Sequence, residues 1–129
     1  MKSLIKMSIA FLLLVFFTSN VKALTFQEGL DQSSKTPVVV LIYAEWAEKY
    51  EDYLSVFRNL EADFEGVYNF VELNIASKDT LDFNKRYHIY PNLPYVLMFK
   101  ENGKISRYVQ RDCAKDESCI KSKLKSFIQ

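Results

Sequence analysis

Cys113 and Cys119 are the two sulfur nucleophiles of this 129-residue chain, and six positions separate them. A thiolate can exchange disulfides or bind metal, and a helix start or a nearby cation lowers the pKa that governs it. Cys119 falls near the start of a C-terminal helix, which favours the thiolate. Asp112, Asp116 and Glu117 lie beside it and favour the thiol. The other use of two cysteines is a disulfide, the default for an even count in an oxidising compartment. A Cys113–Cys119 bond closes a small loop and contributes about 2 kcal/mol by chain entropy. Metal chemistry is poorly served, because one histidine (His88) and two cysteines at this spacing do not make a zinc set. Three glycines leave no room for a glycine-rich phosphate loop. No Ser-His-Asp or paired-carboxylate arrangement stands out, so the sequence calls for no cofactor and no metal.

The oxidising compartment is suggested by the first residues. Lys2 and Lys6 give a positive start, and Met7 to Phe17 is almost wholly apolar. That run is short for a bilayer span. Val21-Lys22-Ala23 then offers the residue types a signal peptidase reads. Residues 1–23 are expected to be a cleaved secretory signal and 24–129 a single domain; the alternative is an uncleaved membrane anchor. Export to a bacterial periplasm or through a secretory route follows, with no stable membrane span once the signal is removed. The full chain is formally +1; losing Lys2, Lys6 and Lys22 and no acid leaves 14 basic and 16 acidic residues, net −2. A near-neutral, interspersed balance argues against nucleic acid or anionic lipid as the main partner. The 106 residues that remain suffice to bury about 65% of the unfolded surface.

The elements that would position any site follow from periodicity. Phe26 and Leu30 mark a short helix over 24–34, capped by Thr25. Val38 to Tyr43 is an apolar, β-branched run after Pro37, the pattern of a strand covered on both faces. From Trp46 the period changes: Tyr50, Tyr53, Phe57, Leu60 and Phe64 recur every three or four residues, predicting an amphipathic helix to about Glu65, stopped at Gly66. Val67 to Ile75 reads as a second strand, and Leu81, Phe83 and Tyr87 as a short, imperfect helix. Residues 88–94 form a loop. Tyr95 to Phe99 and Lys104 to Val109 make a hairpin about Glu101-Asn102-Gly103. A last helix over 118–128 should turn Ile120, Leu124, Phe127 and Ile128 inward. A βαβ unit, a helix, a hairpin and a helix imply an α/β fold: a central mixed four-stranded sheet with helices on both faces.

A strand ending in an aromatic, then Ala44-Glu45-Trp46, then a helix start, resembles the active-site region of the thioredoxin family. Leu73-Asn74-Ile75, Leu93-Pro94 before a strand, and Lys100 followed by Gly103 extend the resemblance over nearly all of residues 24–129. It implies the thioredoxin fold. Where the family carries Cys-Gly-Pro-Cys this chain has Ala47-Glu48-Lys49-Tyr50, so the resemblance implies no catalytic residue at the usual place. The family's buried acid falls on Leu41 and its nearby lysine on Glu72. Glu72 is expected to be solvated; were it to point inward, Lys49 is the candidate partner. The resemblance also implies a cis peptide before Pro94, with Pro91 as rival, and a groove in which Leu93 pairs its backbone with an extended segment. Trp46, Leu93, Pro94, Tyr95, Val109 and Gln110 would line it. The passage from Arg111 to Cys119 is about seven residues longer than the family uses, and both cysteines lie in it. The expected function is an exported, redox-inactive module that binds or scaffolds another exported protein or an extended peptide. The alternatives are a thiol–disulfide oxidoreductase or isomerase using a relocated Cys113/Cys119 pair, and a structural subunit of a secretion or surface assembly.

Overall fold

Six consecutive residues, Val38–Tyr43, form β1, and the first five bury their side chains. A strand with no polar face must be covered on both sides, and β1 is central. In the computed structural model, which describes residues 24–75 and 93–129, β1 pairs in parallel with β2 (Asn69–Asn74) and antiparallel with β3 (Tyr95–Lys100). β4 (Ile105–Val109) pairs antiparallel with β3, giving a mixed sheet in the order β2-β1-β3-β4. The expected secretory signal and the short helix expected at 81–87 lie outside the described residues.

The register divides the side chains into two cores. Val39, Leu41, Val96, Met98 and Val109 point to one face. Over it lie α2 (Tyr50–Asp63), α3 (Arg111–Ala114) and α4 (Glu117–Phe127), which supply Tyr53, Phe57, Leu60, Ile120, Leu124 and Phe127. Val38, Val40, Ile42, Val71, Leu73, Leu97 and Phe99 point to the other face, where α1 (Phe26–Asp31) adds Phe26 and Leu30. Phe26 meets Phe99 edge-on, with ring centroids 5.6 Å apart. Each fully buried large side chain contributes about 1.5–3 kcal/mol of transfer free energy. Tyr68 ties the first core together, its hydroxyl donating to Leu124 O at 2.7 Å.

Several boundaries shift from the sequence expectation for local reasons. Thr25 caps α1 through a reciprocal box with Glu28, and the helix ends at Asp31, short of 34. α2 begins at Tyr50 instead of Trp46, because Lys49 has φ 60 and cannot continue a right-handed helix. Gly66, at φ 78, stands just past its end. The stretch expected to be loop after β4 contains α3, and α4 begins at Glu117 because Asp116 caps it. Ile128 was expected inside; α4 ends at Phe127, and Ile128 is 40% exposed.

Candidate functional site

Strand direction brings one set of segments to one end of the sheet. β1 ends at Tyr43, and its antiparallel neighbour β3 begins opposite it, Ile42 pairing with Tyr95. β4 ends at the same level, Val96 pairing with Val109. The turn 44–49, the Leu93-Pro94 entry to β3 and the exit through Gln110 into α3 therefore share this end.

The turn is built from i→i+3 bonds. Ala47 N donates to Ala44 O at 3.0 Å, and Tyr50 N to Ala47 O at 3.3 Å. This geometry turns Ala47 into the core beside Ala44 and throws Trp46 outward, where it is 68% exposed. Glu45, Glu48 and Lys49 are also exposed. Tyr50 is half-buried and lies flat on Tyr43, with centroids 5.9 Å apart and planes 6° apart. Desolvation, then the carboxylates of Glu51 and Glu45, holds the Tyr50 phenol above its ordinary range. Neither Ala47 nor Tyr50 offers a group that exchanges electrons at neutral pH.

The Leu93–Pro94 peptide is cis, whereas Pro91 lies outside the described residues. Both Leu93 and Pro94 are buried, as is Val109. Their side chains belong to the interior, so they can meet a ligand through backbone alone. Tyr95 is half-buried and stacks on Tyr108 at 4.5 Å, and burial is the main cause that raises its phenol pKa. Gln110 is exposed. Among the six residues singled out by the sequence, Trp46 and Gln110 present side chains to solvent and Tyr95 does so in part.

Two features of this end were not read from the sequence. One is the tyrosine content of its surface, Tyr43 on Tyr50 and Tyr95 on Tyr108. The other is an open cleft of about 460 Å³ beside Gln110, lined by Tyr53, Tyr108, Arg111, Asp112 and Lys115. Alternation along β4 offered a signal, because it sends Tyr108 to the face opposite Val109.

Cys113 and Cys119 are joined, with S–S 2.11 Å and Cα–Cα 5.2 Å. Cys113 is buried in the first core and Cys119 is half-buried against it. The bond ties α3 to the first turn of α4. The Cys119 N–H donates to the capping carboxylate of Asp116 at 3.2 Å.

The position matching the family's buried acid, Leu41, is fully buried and apolar. Glu72 is partnered by Arg58 from α2, not by Lys49, through two contacts of 3.0 Å. Among the described residues no cluster of three His, Cys, Asp or Glu side chains could hold a metal, and no helix is long and apolar enough to cross a membrane. His88 lies outside the described residues. No protein-family model matches the chain, and the curated proteins include no match to it.

Proposed function

We propose that the chain is an exported, thioredoxin-like domain that binds an extended segment of another exported protein without covalent chemistry. The observation that carries this is the exposed Trp46, held on the turn after β1 at the sheet end where the cis Leu93–Pro94 bond enters β3. An exposed indole offers a broad apolar ring with an N–H donor, a combination enriched at binding surfaces. The backbone around Leu93, at the same end of the sheet, suits β-type pairing with an extended chain. The strand order, the helix that follows β1 and the cis bond agree with the thioredoxin resemblance. Ala47 and the stacked Tyr50 are consistent with a site that has lost exchange chemistry. The Cys113–Cys119 bond acts as a structural staple, consistent with an oxidising compartment.

The test is binding to an immobilised, reduced and carbamidomethylated unfolded protein, in which no thiol is available. Wild type should be retained, and Trp46→Ala, whose fold should not depend on an exposed side chain, should lose at least ten-fold in affinity. Equal retention of the two proteins contradicts the proposal.

A further inference from the structure

A second surface lies along β4, toward the end of the sheet opposite Trp46. A cleft of about 420 Å³ opens there between β4 and the C-terminal half of α4. Met98, Ile105 and Phe127 contribute apolar surface, and Lys100, Arg107 and Lys123 contribute three cations. Among the described residues no acidic side chain lines it. The Lys100 ammonium donates to Phe127 O at 2.7 Å and lies 4.7 Å from the centroid of the Phe127 ring. Those contacts fix the head group without cancelling its charge. Arg107 reaches the carbonyl of its neighbour Ser106 at 3.5 Å. Among the described residues the ion pairs go to Arg58 and Lys121, and none to these three cations.

Among the described residues β4 is also an edge strand, paired with β3 on one side. An edge offers unpaired backbone groups to an added strand. Side chains alternate, so Ile105 and Arg107 share the α4 face with Val109. A strand added to β4 would send every second side chain over the cleft. An anion there would meet Arg107 and Lys123, and its methylenes would cover the apolar floor.

We propose that the edge of β4 and the cleft beneath α4 form a docking site for an extended acidic segment of a partner protein, with carboxylates at alternate positions. The charge match selects the partner, and the open edge selects its extended form. This site is separate from the Trp46 end and does not depend on what binds there.

A labelled ten-residue Glu-Thr repeat tests this by fluorescence anisotropy, with a Lys-Thr repeat as the opposite charge. The Glu repeat should bind saturably and more weakly as salt rises. Arg107→Glu combined with Lys123→Glu should weaken it at least ten-fold, whereas Trp46→Ala should leave it unchanged. Both cations are surface side chains; if the reversed pair melts early, Arg107→Gln with Lys123→Gln gives the same reading with less repulsion. Equal affinity in the charge variants, equal binding of the Lys repeat, or loss of binding in Trp46→Ala would each overturn the proposal. So would salt-sensitive self-association in sedimentation that Trp46→Ala abolishes, because the acidic turn of a second copy would then be the occupant.

Discussion

Tyr50 lies parallel to Tyr43 in an offset stack, so the fourth residue of the Ala47–Tyr50 stretch serves packing at a position where the resemblance sets a sulfur. An aromatic pair of this kind contributes about 0.5–1.5 kcal/mol beyond its buried area. Tyr50→Leu keeps an apolar side chain and loses the stack. It should lower unfolding free energy by about 1 kcal/mol in a urea titration.

The disulfide makes a separate prediction. Replacing Cys113 and Cys119 together by alanine frees a short loop and should cost about 2 kcal/mol. Far-ultraviolet circular dichroism should stay native, because β1, β3 and the α2 contacts do not depend on the bond. Binding of the unfolded test protein should also be unchanged. A loss of binding in this variant would move function toward the cysteine pair.

Alkaline pH should destabilise the fold in a defined direction. Burial holds the Tyr68 phenol well above its ordinary value of 10.0, so the folded chain keeps a proton that the unfolded chain loses. The stabilisation is complete below about pH 10 and is lost as pH rises further. Tyr95 and Tyr50, also shifted upward, act with the same sign. Tyr68→Phe should reduce the slope of stability against pH above about 10. At neutral pH it should cost about 1 kcal/mol, since Leu124 O loses its donor.

Gly29 offers a packing test. A Cβ there would stand 2.9 Å from Val38 Cγ2, a fully buried atom on the central strand. Gly29→Ala should therefore destabilise by about 1–3 kcal/mol through overpacking. Helix propensity alone would predict a gain of about 1 kcal/mol. A thermal melt distinguishes the two signs.

The strands were legible because burial leaves a record in residue type. The unbroken Val38–Tyr43 run marks a centre strand, and Glu101-Asn102-Gly103 marks the hairpin. The Thr25 cap was legible from its hydroxyl ahead of Phe26 and Leu30, whereas the reciprocal bond from Glu28 came only with the structure. The start of α2 was not, because the periodicity from Trp46 onward continues through a turn whose Lys49 adopts a left-handed conformation that few side chains favour. Nor was the partner of Glu72, since Arg58 is fourteen residues away and only the packing of α2 on β2 brings them together. At the site, residue types and the resemblance put Trp46, Leu93, Pro94, Tyr95, Val109 and Gln110 along one groove without separating the side chains that reach solvent. They could not tell that Val109 and Leu93 point inside, because an apolar residue beside a groove and one beneath it look alike in sequence.

Trp46 is the sole tryptophan of the chain, so its emission reports directly on the proposed binding surface. The decisive measurement is a fluorescence titration of the protein with a tryptophan-free, fully carbamidomethylated unfolded chain. A saturable blue shift that persists in the Cys113→Ala/Cys119→Ala variant is expected, since a segment covering Trp46 removes it from water with no thiol taking part. Emission that stays at its solvent-exposed wavelength throughout the titration would contradict non-covalent capture at this end of the fold.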